Sequence, residues 1–310
     1  MPTDRGGDSD FYPEGFFESL QKMIDDLQPD SLEEVNFVAG SVFEDYNNLR
    51  QADLQGMSPN QVYELTRNGW IRETLTLNEN VTLHDLAASE LFYNARHTLI
   101  SIQEMGVAKA TATGAFNRKF ATQMFSEFMI EEERRESLTR LNKVFNQIDV
   151  PYLTLFRHLL PTAGLLLYRK GEFRVTKRGQ ALTKESAAGE LSALLFRTLL
   201  ERIILAAMDH LPEAPQVQQG MGFTLYQIGK WSDEWHDIEG LAEKLFLPAV
   251  LDSLPDLPWR ENSGTSFLKV RVLSNLEDLG LLELAKTGRY GSLERVRKTA
   301  LFDSFIRFHL

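Results

Sequence analysis

Residues 159–179 read LLPTAGLLLYRKGEFRVTKRG, and the architecture of the chain can be worked out from this segment. Gly164 follows an apolar helical pattern, and glycine readily adopts the left-handed conformation that ends a helix and turns the chain. Short apolar strands are expected over residues 165–168 and 173–176, because a turn containing Gly171 separates them. The segment therefore predicts a helix followed by a β-hairpin.

The same order of helix, glycine and apolar strand recurs at two other places. Residues 102–111 read IQEMGVAKAT, and residues 276–284 read LEDLGLLEL. After the second of these, residues 286–291 supply a turn before the strand at residues 293–298. Because helical apolar spacing covers most of the remaining chain, we predict a mainly α, multi-helical fold with small two-stranded β-hairpins.

The order of these elements resembles a winged helix-turn-helix. Helices over residues 138–148 and 151–160 precede the AGL turn, the hairpin and the closing VTKRG segment. Residues 267–279, with Gly280 and the hairpin after it, resemble a second copy, and residues 102–111 resemble a shortened one without a full wing. The resemblance implies winged-helix-like units, a fold that serves both DNA readers and protein-binding modules.

Two further segments are similar to uncharacterised conserved bacterial proteins. They are GMSPNQVYELT at residues 56–66 and KATATGAFNRKF at residues 109–120. Taken together, the resemblances cover most of the chain and imply no particular activity. Ser58, Pro59 and Gln61 also have the residue types of a helix start, as the cap, the first helical position and the third position of a capping box.

Charge and linker composition divide the chain into three predicted regions. Residues 1–80 carry 16 acidic and 5 basic side chains, so this acidic helical N-terminal region accounts for the whole net charge of −11. Residues 81–211 are the predicted helical region with the central winged-helix-like unit, and residues 212–310 are the C-terminal winged-helix-like domain. Apolar spacing predicts long helices over residues 112–148 and 187–211.

Basic residues concentrate in the central unit, where residues 150–184 contain seven basic side chains and one acidic side chain, Glu172. In helix-turn-helix DNA readers the second helix enters the major groove. The resemblance, with a wing that touches the backbone, implies nucleic-acid contacts from Arg157, His158, Arg169, Lys170, Arg174, Lys177, Arg178, Lys269, Arg271 and Arg289. The alternative is a solvated face with counter-charges from elsewhere in the fold. Residues 151–160 are also mostly apolar, and a helix that is apolar nearly all round is buried.

One segment has the composition of an anion site. Gly114 precedes a helix whose start carries Asn117, Arg118 and Lys119, so backbone donors, a positive helix end and two cations meet there. The alternative is a structural turn in which Asn117 is an ordinary helix cap.

The sequence contains no motif for catalysis, a cofactor or a metal. It has no cysteine, which excludes thiolate nucleophiles, disulfides and Cys-ligated zinc. None of its six histidines lies four residues from another, and no phosphate-binding loop or nucleophile elbow is present. We therefore expect no enzyme, although a site assembled from distant residues stays an alternative, since spatial clusters cannot be seen in spacing.

The expected function is that of a non-catalytic binding or scaffold protein, which uses its winged-helix-like modules for protein contacts or self-association. The alternative is a winged-helix DNA-binding regulator that uses residues 150–184, while the acidic N-terminal region restrains non-specific binding. The first ten residues lack the pattern of a secretory signal, and no apolar run approaches the ~20 residues of a spanning helix. We therefore expect a cytoplasmic protein without a membrane partner.

Overall fold

The computed structural model describes residues 16–67, 69–231, 233–257, 262–286 and 293–310. The chain divides into two compact units, Met1–Tyr63, which we call the N-terminal unit, and Glu64–Leu310, the main unit. The boundaries predicted after residues 80 and 211 stay predictions.

The described part of the N-terminal unit is built around two helices, α1 (Phe16–Leu27) and α2 (Leu32–Asn48). Ser31 caps α2 by accepting a hydrogen bond from the Glu34 backbone N–H, and the Glu34 carboxylate accepts one from the Asp30 N–H. Leu20 is buried in α1, whereas no residue of α2 is buried. Among the described side chains of the pair, five large apolar ones are exposed, namely Phe17, Met23, Leu27, Leu32 and Phe37.

Helix α3 (Pro59–Thr66) begins with the predicted capping box. The Gln61 backbone N–H donates to Ser58 Oγ at 3.3 Å, and the Ser58 N–H donates to Gln61 Oε1 at 3.1 Å. Two amide groups that the helix itself leaves without partners are satisfied in this way, which confirms the helix start predicted at this point.

The main unit is helical with small antiparallel sheets, as predicted. Its first half contains α4 (Trp70–Glu73), β1 (Leu75–Leu77), α5 (Glu90–Met105), β2 (Ala108–Lys109), α6 (Arg118–Glu127), α7 (Glu132–Leu141), α8 (Leu153–Thr162), β3 (Leu166–Arg169), β4 (Glu172–Val175), α9 (Lys177–Leu182) and α10 (Ala188–Glu201). Its second half contains α11 (Pro215–Gln219), α12 (Met221–Gly229), β5 (His236–Asp237), α13 (Ala242–Leu245), α14 (Pro248–Asp252), α15 (Ser263–Phe267), α16 (Ser274–Asp278), β6 (Leu282–Lys286), β7 (Leu293–Lys298), α17 (Ala300–Phe305) and β8 (Ile306–Phe308). A π-helical segment, Leu268–Leu273, joins α15 to α16.

Two parts of the main unit share one plan, and we call them the central module (residues 90–182) and the C-terminal module (residues 221–298). In each, a helix leads to a short strand, further helices follow, and a β-hairpin comes last. The strand orders are β2–β4–β3 and β5–β7–β6, and all neighbouring strands are antiparallel. The early strand of each module therefore pairs with the last strand of its hairpin.

The turn from helix to hairpin is also the same in both modules. Gly164 and Gly280 have φ values of +74° and +75°, the left-handed conformation that favours glycine. The Thr176 hydroxyl donates to the Gly164 carbonyl at 2.8 Å, and the Thr299 hydroxyl donates to the Gly280 carbonyl at 2.7 Å. A threonine at the end of each hairpin thus ties the hairpin to the helix end.

At the first of the three expected places the predicted order of helix, glycine and strand is present. Gly106 ends α5 with φ +76° and β2 follows, but the chain that folds back after β2 forms only a single antiparallel bridge, between Ala110 and Phe116. Instead β2 joins the central sheet, where Ala108 lies opposite Phe173. The segment resembling a shortened unit is therefore the first strand of the central module.

Two predicted long helices are interrupted. The helix expected over residues 112–148 has a break between α6 and α7, where the Asn94 side chain binds both the N–H and the carbonyl of Met129. The helix expected over residues 187–211 ends at Glu201, because Gln218 donates to the carbonyls of Leu200 and Ile203. Side chains distant in sequence therefore replace the helical hydrogen bonds at both breaks.

One apolar core runs through the main unit, from Trp70 to Ile306. Near the ends of this unit, β1 and β8 form a separate two-stranded sheet, with Leu75 opposite Phe308 and Leu77 opposite Ile306. Among the described residues, the helices are too short or too polar to cross a membrane.

Candidate nucleic-acid interface

The outer face of the central sheet carries mostly cations. Successive residues of a strand point to opposite faces, so the register places Glu172 on the face opposite to buried Phe173. Arg169 and Lys109 lie opposite Glu172 on the two neighbouring strands. Arg174 belongs to the same face, two residues along β4. Three basic side chains therefore surround one carboxylate.

The charge on this face is only partly neutralised within the chain. Arg174 pairs with Glu172, with Nη2 and Oε2 2.6 Å apart. Arg169, Lys170 and Lys177 are exposed and make no ion pair with any residue that the structure describes. These three cations are therefore available to an external anion.

The hairpin turn presents one of these cations at its tip. Lys170 and Gly171 have φ values of +53° and +76°, which is the pattern of a two-residue turn with both central residues left-handed. Glycine adopts this conformation easily, whereas it is uncommon for lysine. The tight turn places the Lys170 side chain at the end of the β3–β4 hairpin.

Helix α8 has one solvent-facing side next to this hairpin. Thr154 and His158, one helical turn apart, are exposed, and Arg157 between them is half-buried. Phe156 and Leu159 are fully buried on the opposite side. The expectation that this helix is buried nearly all round is therefore wrong, because its few polar residues fall on one stripe.

Arg157 is held at a meeting point of three elements. Its Nη2 donates to the Thr113 carbonyl at 3.2 Å. Gly114 has φ +76°, and a Cβ built on it would lie 3.3 Å from Arg157 Nη2 and 3.3 Å from the Tyr168 hydroxyl. The turn containing Gly114, helix α8 and strand β3 are thus in direct contact. Arg178 lies near the other end of α8, with Nη1 3.5 Å from the Ala163 carbonyl.

The residues of the predicted anion site have different partners. Asn117 caps α6 by accepting the Phe120 N–H at 2.9 Å. Arg118 Nε donates to Asn146 Oδ1 at 3.3 Å, and Lys119 is exposed in the first turn of α6. Gly114 faces Arg157 rather than this helix end. The geometry therefore favours the structural turn, and an anion site here stays a prediction.

The predicted contacts of the C-terminal module do not join the exposed cationic face. Arg271 is 1% exposed and binds both carboxylate oxygens of Asp209 at 2.8 Å. Lys269 is half-buried, and Arg289 lies outside the described residues. From Ser263 to Leu279 no residue is exposed. The helix equivalent to α8 is therefore covered by the rest of the main unit.

The sequence prediction missed Lys109, which the structure adds to the cationic face. Lys109 belongs to this face because β2 pairs with β4, which places Lys109 opposite Glu172. That pairing joins residues more than 60 positions apart and has no local signature. No metal site adds to this surface, since no group of three or more His, Asp or Glu within the described ranges is placed to hold a metal ion.

Comparison with known proteins identifies relatives of the central part of the chain. Residues 87–188 match the family model described as "Y4jL N-terminal domain". Over 97 residues the chain is 34% identical to "Uncharacterized protein y4jL" of Sinorhizobium fredii, a match covering 31% of this chain and 44% of that relative. The chain thus matches less than half the length of this curated relative. No solved structure matches the chain.

The matched segment contains the whole central module. It begins just before α5 and ends at the start of α10, so it includes the β2–β4–β3 sheet and α8. The central module is therefore similar to a conserved family and to an uncharacterised bacterial protein, as expected for residues 109–120. The other segment with an expected resemblance, residues 56–66, lies outside the matched residues.

Proposed function

We propose that the protein is a non-catalytic binding protein whose central module acts as a winged helix on duplex DNA. The observation that carries this proposal is a set of three exposed cations, Arg169 on the cationic face, Lys170 in the hairpin turn and Lys177 at the start of α9, which have no ion pair within the described part of the chain. Phosphate contacts supply most of the affinity of a protein for DNA, and free exposed cations are what such contacts need.

The order of elements supports the winged-helix interpretation. Helix α5, strand β2, helices α6, α7 and α8 and the β3–β4 hairpin follow one another, and the sheet order β2–β4–β3 is compatible with the hairpin as a wing. In this arrangement α8 enters the major groove, with Thr154 and His158 on its exposed side. The hairpin then lies along the phosphate backbone.

The distribution of charge is compatible with this role in spite of the net charge of −11. The N-terminal unit carries 13 acidic and 3 basic side chains, whereas the main unit carries 31 acidic and 30 basic ones. The main unit is therefore nearly neutral, and a local cluster of free cations dominates the potential near the wing. The acidic N-terminal unit lowers non-specific attraction to DNA.

Fluorescence anisotropy with a random DNA duplex tests the proposal. Each phosphate contact contributes about −0.9 to the slope of log affinity against log salt, so three free cations predict a slope of about −3. The variant Lys170→Glu/Lys177→Glu is expected to bind at least about tenfold more weakly, with a slope of about −1. Lys143→Glu/Lys244→Glu changes the charge equally at two exposed positions and is expected to bind like the wild type.

Two results would reject DNA binding by the wing. One is the absence of binding by the wild type at about 50 mM salt, where phosphate contacts are strong. The other is equal weakening in the two double variants, since this would mean that only overall charge matters.

A second candidate function, contact with a protein partner or self-association, is favoured by the N-terminal unit. Leu32 and Phe37 are 77% and 78% exposed, and α2 has no buried residue. Large, strongly exposed apolar side chains of this kind favour a contact surface for a partner or a second copy of the chain. Sedimentation velocity over a range of concentrations is expected to show association that Leu32→Ser/Phe37→Ser abolishes. A wild-type chain that stays monomeric throughout would exclude self-association.

A further inference from the structure

Three side chains from distant parts of the main unit share one hydroxyl group. The Tyr152 hydroxyl oxygen lies 2.7 Å from Glu90 Oε2 and 2.7 Å from Asp278 Oδ1. Glu90 is the first residue of α5, Tyr152 is the residue before α8, and Asp278 is the last residue of α16. This cluster joins the central module to the C-terminal module.

The number of protons in the cluster follows from these distances. Each oxygen–oxygen contact of 2.7 Å is a hydrogen bond and needs a proton between the two atoms. The phenol supplies only one, and an ionised carboxylate can only accept. The second proton comes from the Asp278 carboxyl in its protonated form, which donates to the phenol oxygen while the phenol donates to Glu90. In that form both short contacts have a proton.

The surroundings favour retention of this proton. Burial raises the pKa of Asp278 to about 6, although the hydrogen bond from Tyr152 and the charge of Arg134 both lower it. Burial and the neighbouring Asp278 charge raise the pKa of Glu277 to about 7. Burial and the two carboxylates also raise the pKa of Tyr152, so its hydroxyl keeps its proton.

Other charged groups face the cluster from the neighbouring elements. The Arg134 guanidinium lies 5.9 Å from the centre of the Tyr152 ring. Lys286 is paired with Glu131 at 2.9 Å, and its charge also lowers the pKa of Glu277. The cavities on either side, about 690 and 740 Å³ in volume, are also lined by Glu133, Glu283, Asp209 and His210. Carboxylates outnumber cations around the cluster.

The backbone packing leaves little room for the carboxylates to separate. The Ser89 hydroxyl donates to the Asp278 carbonyl at 3.2 Å. A Cβ at Gly280 would lie 3.0 Å from the Ser89 backbone nitrogen, so the chain segments at the ends of α5 and α16 are in close contact. Two ionised carboxylates there would repel each other at a fixed short distance.

We propose that the Glu90–Tyr152–Asp278 cluster is a proton-dependent latch between the two modules, closed while the shared proton is bound and loosened when it is lost. In the closed state every short contact has its proton. Loss of the proton leaves two carboxylates competing for one hydroxyl, which weakens the contact of α16 with α5 and α8. The two modules are thus coupled most firmly in mildly acidic solution and less firmly above neutral pH.

Carbon-13 NMR titration of the side-chain carboxyl groups in the full chain tests the proton directly. One resonance is expected to titrate near pH 6 and to be absent in Asp278→Asn, whose amide is neutral and still accepts from Tyr152. Glu104→Gln, an exposed carboxylate near the other end of α5, is the matched control and is expected to leave that titration unchanged. Titration of every Asp and Glu carboxyl below pH 5 would overturn the proposal.

Hydrogen exchange measures the latch itself. Between pH 5 and pH 8 the protection of amides in residues 274–282, corrected for intrinsic exchange, is expected to fall at least about tenfold in the wild type and to fall less in Asp278→Asn, which lacks the Asp278 proton. Equal changes in the two proteins would overturn the proposal. If Asp278→Asn does not fold, Glu90→Gln serves instead, because it leaves a single carboxylate at the hydroxyl. Its expected result is a shift of the Asp278 titration to lower pH, since the Glu90 charge raises the pKa of Asp278, and a smaller change in protection than in the wild type; an unchanged titration and an unchanged fall in protection would overturn the proposal.

Discussion

Replacing Asp209 by alanine is expected to destabilise the main unit by about 3–5 kcal/mol. Arg271 is 1% exposed, and its guanidinium makes two hydrogen bonds to Asp209, one to the Pro212 carbonyl and one to the Ala214 carbonyl. Without the carboxylate, a buried cation keeps only two neutral partners. Removing one side of a buried ion pair typically costs about 3–5 kcal/mol, because the remaining charge is uncompensated.

A double-mutant cycle separates this effect from simple loss of packing. Urea unfolding is measured for the wild type, Asp209→Ala, Arg271→Met and the double variant. Because Arg271→Met removes the stranded charge, the double variant is expected to lose less stability than the sum of the two single variants, by about 1–3 kcal/mol. The control pair Glu79 and Arg197 is partly exposed, and Glu79→Ala is expected to cost less than about 1 kcal/mol.

The result that would refute this reasoning is an Asp209→Ala cost below about 1 kcal/mol, or full additivity in the cycle, since either would mean that the buried charge is not compensated by Asp209. The same variants also bear on function. Folded Arg271→Met is expected to bind DNA like the wild type, because its guanidinium is not on the exposed face.

Three further predictions concern the two β-hairpins and the Glu90–Tyr152–Asp278 cluster. Gly179→Ala is expected to cost about 1–3 kcal/mol, measured by urea unfolding, because its Cβ would lie 2.4 Å from the Leu165 carbonyl oxygen; a neutral effect would show that the contact relaxes freely. Thr176→Val is expected to cost about 2 kcal/mol and Thr299→Val about 1 kcal/mol, since only the Thr176 hydroxyl also accepts an N–H at a helix start; equal midpoint shifts would contradict this. The raised pKa of Asp278 means that the folded state binds its proton more tightly than the unfolded state, so unfolding free energy is expected to fall by about 1 kcal/mol from pH 5 to pH 8; stability that rises over this range would refute it.

The parts of the fold that could be predicted from the sequence depend on local chemistry. Glycine readily adopts the left-handed conformation that ends a helix, so the residue type alone predicts a helix end, and Gly164 and Gly280 both have this conformation. The capping box at Ser58 is equally local, because its donor and acceptor are three residues apart. These helix ends and the hairpin turn at Lys170 and Gly171 were therefore predictable, whereas the turn predicted over residues 286–291 lies mostly outside the described residues.

The parts that could not be predicted depend on partners distant in sequence. The Asn94 side chain stabilises a helix break 35 residues away, and Arg271 pairs with an aspartate 62 residues before it. Apolar spacing is the same on both sides of such a break, so it predicts an uninterrupted helix. For the same reason the basic residue type of Arg271 indicated a surface contact, although the buried carboxylate beside it gives it a structural role.

The pairing of β1 with β8 has a consequence for the synthesis of the protein. The two strands are about 230 positions apart, and β8 emerges from the ribosome long after β1. Leu75 is fully buried in the folded protein, so it stays exposed until β8 has been made and pairs with β1. The central module lies wholly between the two strands and is synthesised before β8. Closure of so long a loop is expected to be a slow step, during which the β1 edge of the newly made chain is unpaired and prone to aggregation.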